Sequence, residues 1–157
     1  MWLSVLQPQH YKALHEIALR AETSDCPMPY LHFERLMSGR QGYVIVTHNG
    51  ELAGCVSFDN YTPDLDITIH CFIDPKHHGR WALRRSFYKE IFDYLFGDLG
   101  LVRVSGYSVR GISDKAGKFL LGLGFKHEGT IRQRIQKPDG KIYDADMYGL
   151  LKDERRW

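Results

Sequence analysis

Residues 74–96, DPKHHGRWALRRSFYKEIFDYLF, gather Lys76, His77, His78, Arg80, Arg84 and Arg85 around one glycine, Gly79, just before an apolar pattern with helical spacing. Unbonded backbone N–H groups and the helix dipole make the start of such a helix a place for an anion. Gly79 allows close backbone approach, and the surrounding basic side chains supply countercharge, so a phosphate group is the natural ligand. The competing reading is that Gly79 only makes a tight turn and the arginines form a solvated face. Immediately upstream, LDITIHCFID alternates Ile67, Ile69, Cys71 and Ile73 with Asp66, Thr68, His70 and Phe72. This is the pattern of a central strand with different chemistry on its two faces.

These groups must be positioned by the elements around them. WLSVL reads as a short strand, and QHYKALHEIALRAE, entered at Pro8, puts Tyr11, Leu14, Ile17 and Ala18 on one helical face. PYLHFERLMSGR reads as a second short helix ending at Gly39. GYVIVTHNGELAGCVSFDNY is two strands joined at Asn49-Gly50, a strong short-range hairpin signal. After the strand carrying His70, a helix over 82–96 buries Leu83, Phe87, Ile91, Tyr94 and Leu95 and stops at Gly97. LVRVSGY is a fifth strand, Ser113 caps a helix to about Gly122, and TIRQRIQKPDGKIYDADMYGLL closes as a hairpin around Pro138-Asp139-Gly140. The order is β-α-α-β-β-β-α-β-α-β-β.

Composition bounds the reading. A chain of 157 residues with 43% apolar and 25% charged residues has the profile of one globular domain, expected to span 1–157. Net charge is only +2, with the basic residues clustered at 76–85 and in the tail KDERRW, so an extended nucleic-acid track is disfavoured. No run of eighteen apolar residues provides for a membrane, and the start has neither a basic n-region nor a long apolar h-region. The expected location is the cytoplasm. Cys26, Cys55 and Cys71 are odd in number and widely spaced, which indicates neither a disulfide framework nor a metal site.

The stretch FIDPKHHGRWALRRSFYKEIFDYLFGDLGLVRVSGYSVRGISDKAGKFLLGLGFKHEGTIRQRI, continued by PDGKIYDADMYGLLKDE, resembles the core of GNAT-superfamily N-acetyltransferases. It is most similar to the branch that acetylates ribosomal-protein N-termini. The resemblance covers roughly residues 65–154, and its most specific element is LLGLGF after a capped helix. It implies an α+β fold with a mixed central sheet of about seven strands, helices on both faces and a splayed strand pair at the cofactor site. It also implies acetyl-CoA, its pyrophosphate held at Lys76, His77, His78, Gly79, Arg80, Trp81 and Ala82, and its thioester met by the backbone of Cys71, Phe72 and Ile73.

Departures from the family pattern carry information too. Trp81 stands where the family prefers a small residue, and either crowds the pyrophosphate or lies beside the adenine. Ser113 replaces an asparagine that helps hold the cofactor arm, or serves only as a helix cap. Ala116 removes a polar contact. Leu120 occupies the position where many members carry the tyrosine that protonates the leaving thiolate, which leaves the general acid unassigned.

The implied reaction is attack of a neutral amine on a thioester. It needs a base or water path for the ammonium proton and donors for the carbonyl. His70 is the preferred base, because histidine titrates near neutrality; Asp66 is the second choice, acting through water or binding the amine. Glu128, Tyr143 and Asp144 are candidates for the acceptor pocket. Tyr30, His32 and Phe33, on the helix that roofs that pocket in this fold, are candidates for substrate selection or simply for packing. Cys71 falls on the apolar face, which argues for direct transfer without an acyl-enzyme. The acceptor is a primary amine on a protein or a small molecule, and the closing hairpin offers a surface for a homodimer. The alternative reading is a catalytically silent protein of this fold, acting as a CoA-binding, interaction or structural module.

Overall fold

A computed structural model describes residues 1–21, 27–78, 85–112 and 114–156, with Arg85 by its backbone alone. Gly79, Arg80, Trp81, Ala82, Leu83, Arg84, Ser113 and Cys26 therefore lie outside the described residues. Seven strands, β1 (Trp2–Val5), β2 (Gln41–Val46), β3 (Leu52–Thr62), β4 (Asp66–Ile73), β5 (Arg103–Val109), β6 (Lys126–Gln136) and β7 (Ile142–Leu151), form one sheet in the order β1-β2-β3-β4-β5-β7-β6. Four helices, α1 (Tyr11–Arg20), α2 (Tyr30–Ser38), α3 (Arg85–Asp93) and α4 (Lys115–Gly122), complete the element order read from the sequence.

Local chemistry explains the turns. Gly50, at φ +81°, takes the left-handed position of the β2–β3 turn, and the Gly50 N–H donates to the Thr47 carbonyl at 3.0 Å. Gly140, at φ +85°, does the same between β6 and β7. The α3 helix ends differently from the sequence expectation. Gly97 does not stop it; the chain widens into a π turn over Tyr94–Asp98, and the left-handed residue is Gly100 at φ +67°. The physical reason is in the packing. Leu95, Phe96 and Leu101 are all buried, and the wider turn lets them enter the core together.

Alternation along the strands sends side chains to two apolar layers. On one face Val44, Val46, Cys55 and Phe72 pack with Tyr11, Leu14, Ile17 and Ala18 of α1 and with Phe33 and Met37 of α2. On the other, Ile67, Ile69 and Ile73 pack under Phe87, Tyr88, Ile91 and Phe92 of α3 and Leu120 of α4. Leu120 is thus a core residue lying over Gly106, where an added Cβ would come within 3.1 Å of it.

The pairing at the centre of the sheet is uneven. From Gly54↔Ile73 to Asp59↔Thr68, β3 and β4 keep continuous antiparallel register. β4 and β5 are parallel and meet only at Thr68↔Ser105, while β5 continues in register with β7 along its whole length. Beyond Thr68 the two central strands part.

Gly54 holds the far end of β4 close to β3. A Cβ there would sit 2.3 Å from the Phe72 carbonyl oxygen and 3.0 Å from the Ile73 Cα, both backbone atoms without freedom to move aside. Gly54→Ala is expected to lower stability in urea unfolding by about 1–3 kcal/mol, the range for overpacking.

Candidate active site

The opening between β4 and β5 defines the site. The Asp74 N–H donates to the Ala53 carbonyl at 2.8 Å, which fixes the phase of the β3–β4 ladder. Even-numbered residues of β4 turn their amides to β3. Cys71 and Ile73 turn theirs the other way, into the slot that β5 has left. The His78 imidazole already meets the Ile73 carbonyl at 3.1 Å on that side.

On the face of the sheet shared with α1 and α2, an arginine, a carboxylate and an imidazole converge. Arg40, the residue before β2, reaches Asp59 with Nε 3.1 Å from Oδ2, and Asp59 Oδ1 is 2.8 Å from Nε2 of His70. The Arg40 side chain is only 6% exposed and that of His70 12%, so the group is largely withdrawn from water. The Tyr107 ring of β5 stands edge-on to the His70 ring with centroids 5.6 Å apart, across the slot. Burial alone would raise the Asp59 carboxyl; the hydrogen bond and field of His70 and the Arg40 guanidinium outweigh it and hold it below the ordinary carboxylate range. Ser57, opposite His70 in register, buries a hydroxyl with no partner of good geometry; the neighbouring Cys55 thiol feels it but makes no such bond.

Asp66 shares this face yet has other partners. Its Oδ2 accepts the Ser105 hydroxyl at 2.6 Å and lies 3.4 Å from Arg103 Nε, at the start of β4, before the Thr68↔Ser105 pair. Arg103 grips Glu128 with its two terminal guanidinium nitrogens, at 2.7 and 2.5 Å. His70 and Asp66 therefore belong to separate networks. Asp144 accepts the Gln133 N–H at 2.8 Å within the closing hairpin, and Tyr143 pairs with Ile135 there. Phe33 is buried against Phe72, with ring centroids 6.4 Å apart, Tyr30 is half-exposed with its hydroxyl 3.3 Å from Glu34, and His32 is exposed.

The loop leaving β4 is built on Asp74. Its buried carboxylate accepts the Lys76 N–H at 3.1 Å and an Arg20 guanidinium N–H at 2.6 Å, tying the end of α1 to the turn Pro75–His77. Burial pushes this carboxyl up, and the two hydrogen bonds with the Arg20 and Lys76 charges bring it below its ordinary range. The Lys76 ammonium is turned to Glu51, 3.6 Å away. His77 has a buried Nε2 with no hydrogen-bond partner. Outward amides at Cys71 and Ile73 and an orphaned imidazole nitrogen on the loop suit an extended polar ligand with a phosphate end.

Sequence reasoning did not find Asp59, Arg40, Arg20 or Asp74 as members of the site. The signal present was the strand register: the β2–β3 hairpin at Asn49-Gly50 ends with Gln41 opposite Phe58, the neighbours of Arg40 and Asp59.

No family model matches the chain, and no curated protein matches it in sequence. Solved structures do. A point mutant of spermidine N-acetyltransferase SpeG from Vibrio cholerae matches with a TM-score of 0.75 and 18% identity, covering 96% of this chain and 95% of that one. A presumed acetyltransferase from T. thermophilus matches with a TM-score of 0.80 and 24% identity, covering 97% and 86%. A chimera of Vibrio cholerae SpeG and hSSAT gives 0.77 and 19%, covering 97% and 95%. The fold is that of GNAT acetyltransferases. The seven-stranded mixed sheet, the helices on both faces and the parted strand pair expected from the sequence are all present. No helix among the described residues is long and apolar enough to cross a membrane.

Because Asp59 and Asp74 both ionise below the ordinary range in the folded state, each adds stability above the unfolded carboxylate range that is lost as pH falls through its folded value. Urea midpoints are therefore expected to fall as pH drops below about 4. Asp74→Asn and Asp59→Asn should each flatten that fall, and wild-type slopes in both variants would refute the assignment.

Proposed function

We propose that the chain is an acetyl-CoA-dependent N-acetyltransferase that moves an acetyl group directly to a primary amine. The observation that carries this reading is the parting of β4 and β5 after Thr68↔Ser105, which turns the Cys71 and Ile73 amides into an open slot. A thioester in that slot supplies the activated acetyl group. The Cys71 and Ile73 amides are placed to pair with the ligand's amide chain and to polarise its carbonyl, while Phe72, with its amide on β3, contributes its ring to the acceptor face. Lys76, His77, His78, Gly79, Arg80, Trp81 and Ala82 are assigned to the pyrophosphate, and Ser113 to the cofactor arm.

His70 takes the amine proton, with Asp59 orienting its ring and balancing the imidazolium that results. Asp66 stays the second choice, since its carboxylate is engaged by Ser105 and Arg103. Cys71 takes no part as a nucleophile: burial pushes its thiol up to about 11 against a smaller opposing effect of the Tyr88 hydroxyl, so it holds its proton.

Among acceptors, we favour the amino terminus of a protein, as in the ribosomal-protein branch the sequence resembles. The carboxylate nearest the base, Asp59, is already matched by Arg40, which leaves little free negative charge for a polycation. Spermidine, the substrate named for the SpeG structures, is the competing acceptor. Cytoplasmic location and a homodimer through the β6–β7 hairpin belong to the same reading. One observation favours the silent module instead: Leu120 is committed to the core over Gly106 and brings no polar group to the slot.

Millimolar CoA is expected to raise the melting temperature, and an unchanged melt would count against the transferase and the CoA-binding module alike. His70→Ala should lower turnover by roughly 100-fold or more while leaving CoA affinity unchanged. Assays with spermidine and with a peptide bearing a free amino terminus then separate the two acceptors, and transfer to neither would leave the silent module.

A further inference from the structure

Tyr88 is a buried phenol that no step above uses. It lies on α3, 1% exposed, on the face of the sheet opposite His70. Phe119 stands edge-on to its ring at 5.5 Å and Phe92 packs at 6.4 Å, so the ring is fixed by aromatic neighbours. The polar partner of its hydroxyl is a sulfur: Cys71 Sγ, 3.7 Å away. Cys71 belongs to the part of β4 that has separated from β5, and its own amide faces the slot. A phenol O–H is thus held against the side chain of a residue whose amide faces the slot, already in contact with a thiol.

The geometry points to Tyr88 as the hydrogen-bond donor to the departing sulfur of the thioester, a role that rests on the transferase reading above. The slot then has a division of labour across the sheet. On the His70 face the amine nitrogen loses its proton to the imidazole and its lone pair forms the N–C bond. The carbonyl electron pair moves to oxygen, facing the strand amides, and returns as the C–S bond breaks. That bond's electron pair stays on sulfur, and the resulting thiolate accepts the Tyr88 O–H in place of the weaker Cys71 contact. Burial, and beside it Cys71, push the Tyr88 hydroxyl well above its ordinary range, so it keeps its proton and acts through the hydrogen bond. Water protonates the released thiolate and removes the proton from His70, and the sum is amine plus thioester giving amide plus thiol. Leu120 on α4 closes the same layer with hydrocarbon, which keeps water from competing for the sulfur on this side.

The test uses CoA itself and needs no acceptor. The thiol of CoA bound to the wild-type chain is titrated by its thiolate absorbance, as the difference between complex and free protein. Its pH midpoint is expected to lie below that of free CoA and to rise by about one pH unit in Tyr88→Phe, the loss of one hydrogen bond to a charged sulfur. In turnover, Tyr88→Phe should lower kcat by about 10–100-fold with KM for acetyl-CoA nearly unchanged. A wild-type midpoint at or above that of free CoA, or equal midpoints in wild type and Tyr88→Phe, would overturn the assignment. If the wild-type chain binds no CoA, the transferase reading falls first and this one with it; if it binds CoA and the midpoints coincide, only Tyr88 is removed.

Discussion

The structure depends on a hydrogen-bond ladder that stops. At Thr68↔Ser105 the two central strands are joined, and past that point each keeps only its outer partner, β3 for β4 and β7 for β5. Interior strands normally satisfy their backbone on both sides, and buried amides without partners are costly. A sheet that carries such a gap must be held open by something else. Here the outer ladders, together with apolar layers on both faces, supply the rigidity, and the gap leaves the inner edges of β4 and β5 without a strand partner beyond Thr68↔Ser105.

Everything around the gap serves to fix its edges. Gly54 lets β3 lie tightly on the end of β4, and Asp74 ties the next turn to Arg20 of α1, so the strand and the loop after it are set by the same packed unit. The two faces then carry different chemistry. Polar groups, Arg40, Asp59 and His70, sit on one side, and aromatic and aliphatic groups, the phenols of Tyr88 and Tyr148 among them, sit on the other. This is the arrangement expected when a nucleophile and a leaving group must be handled separately, because a base that met both sides of the carbonyl would have to be protonated and unprotonated at once.

How much of this was legible in the sequence follows from distance along the chain. The element order, the two faces of β4 and the buried stripe of α1 are local, periodic signals, and the structure matches them residue by residue at Tyr11, Leu14, Ile17 and Ala18. Asp59 was not legible as a partner of His70, because eleven residues and a turn separate them and only the register brings them to 2.8 Å. The same holds for Arg20 and Asp74, fifty-four positions apart. The end of α3 was misread at Gly97 because a π turn is a response to core packing and leaves no glycine signature of its own. The family resemblance supplied the expectation of a gap, which no periodicity contains.

The measurement that bears most directly on the gap is amide hydrogen exchange, read residue by residue with and without CoA. In the free protein the Cys71 and Ile73 amides should exchange faster than that of Phe72, whose partner is β3. Saturating CoA should slow Cys71 and Ile73 strongly and leave Phe72 nearly unchanged, since the ligand takes the place of the absent strand. Uniform slowing along β4, or protection confined to residues away from the slot, would contradict the account.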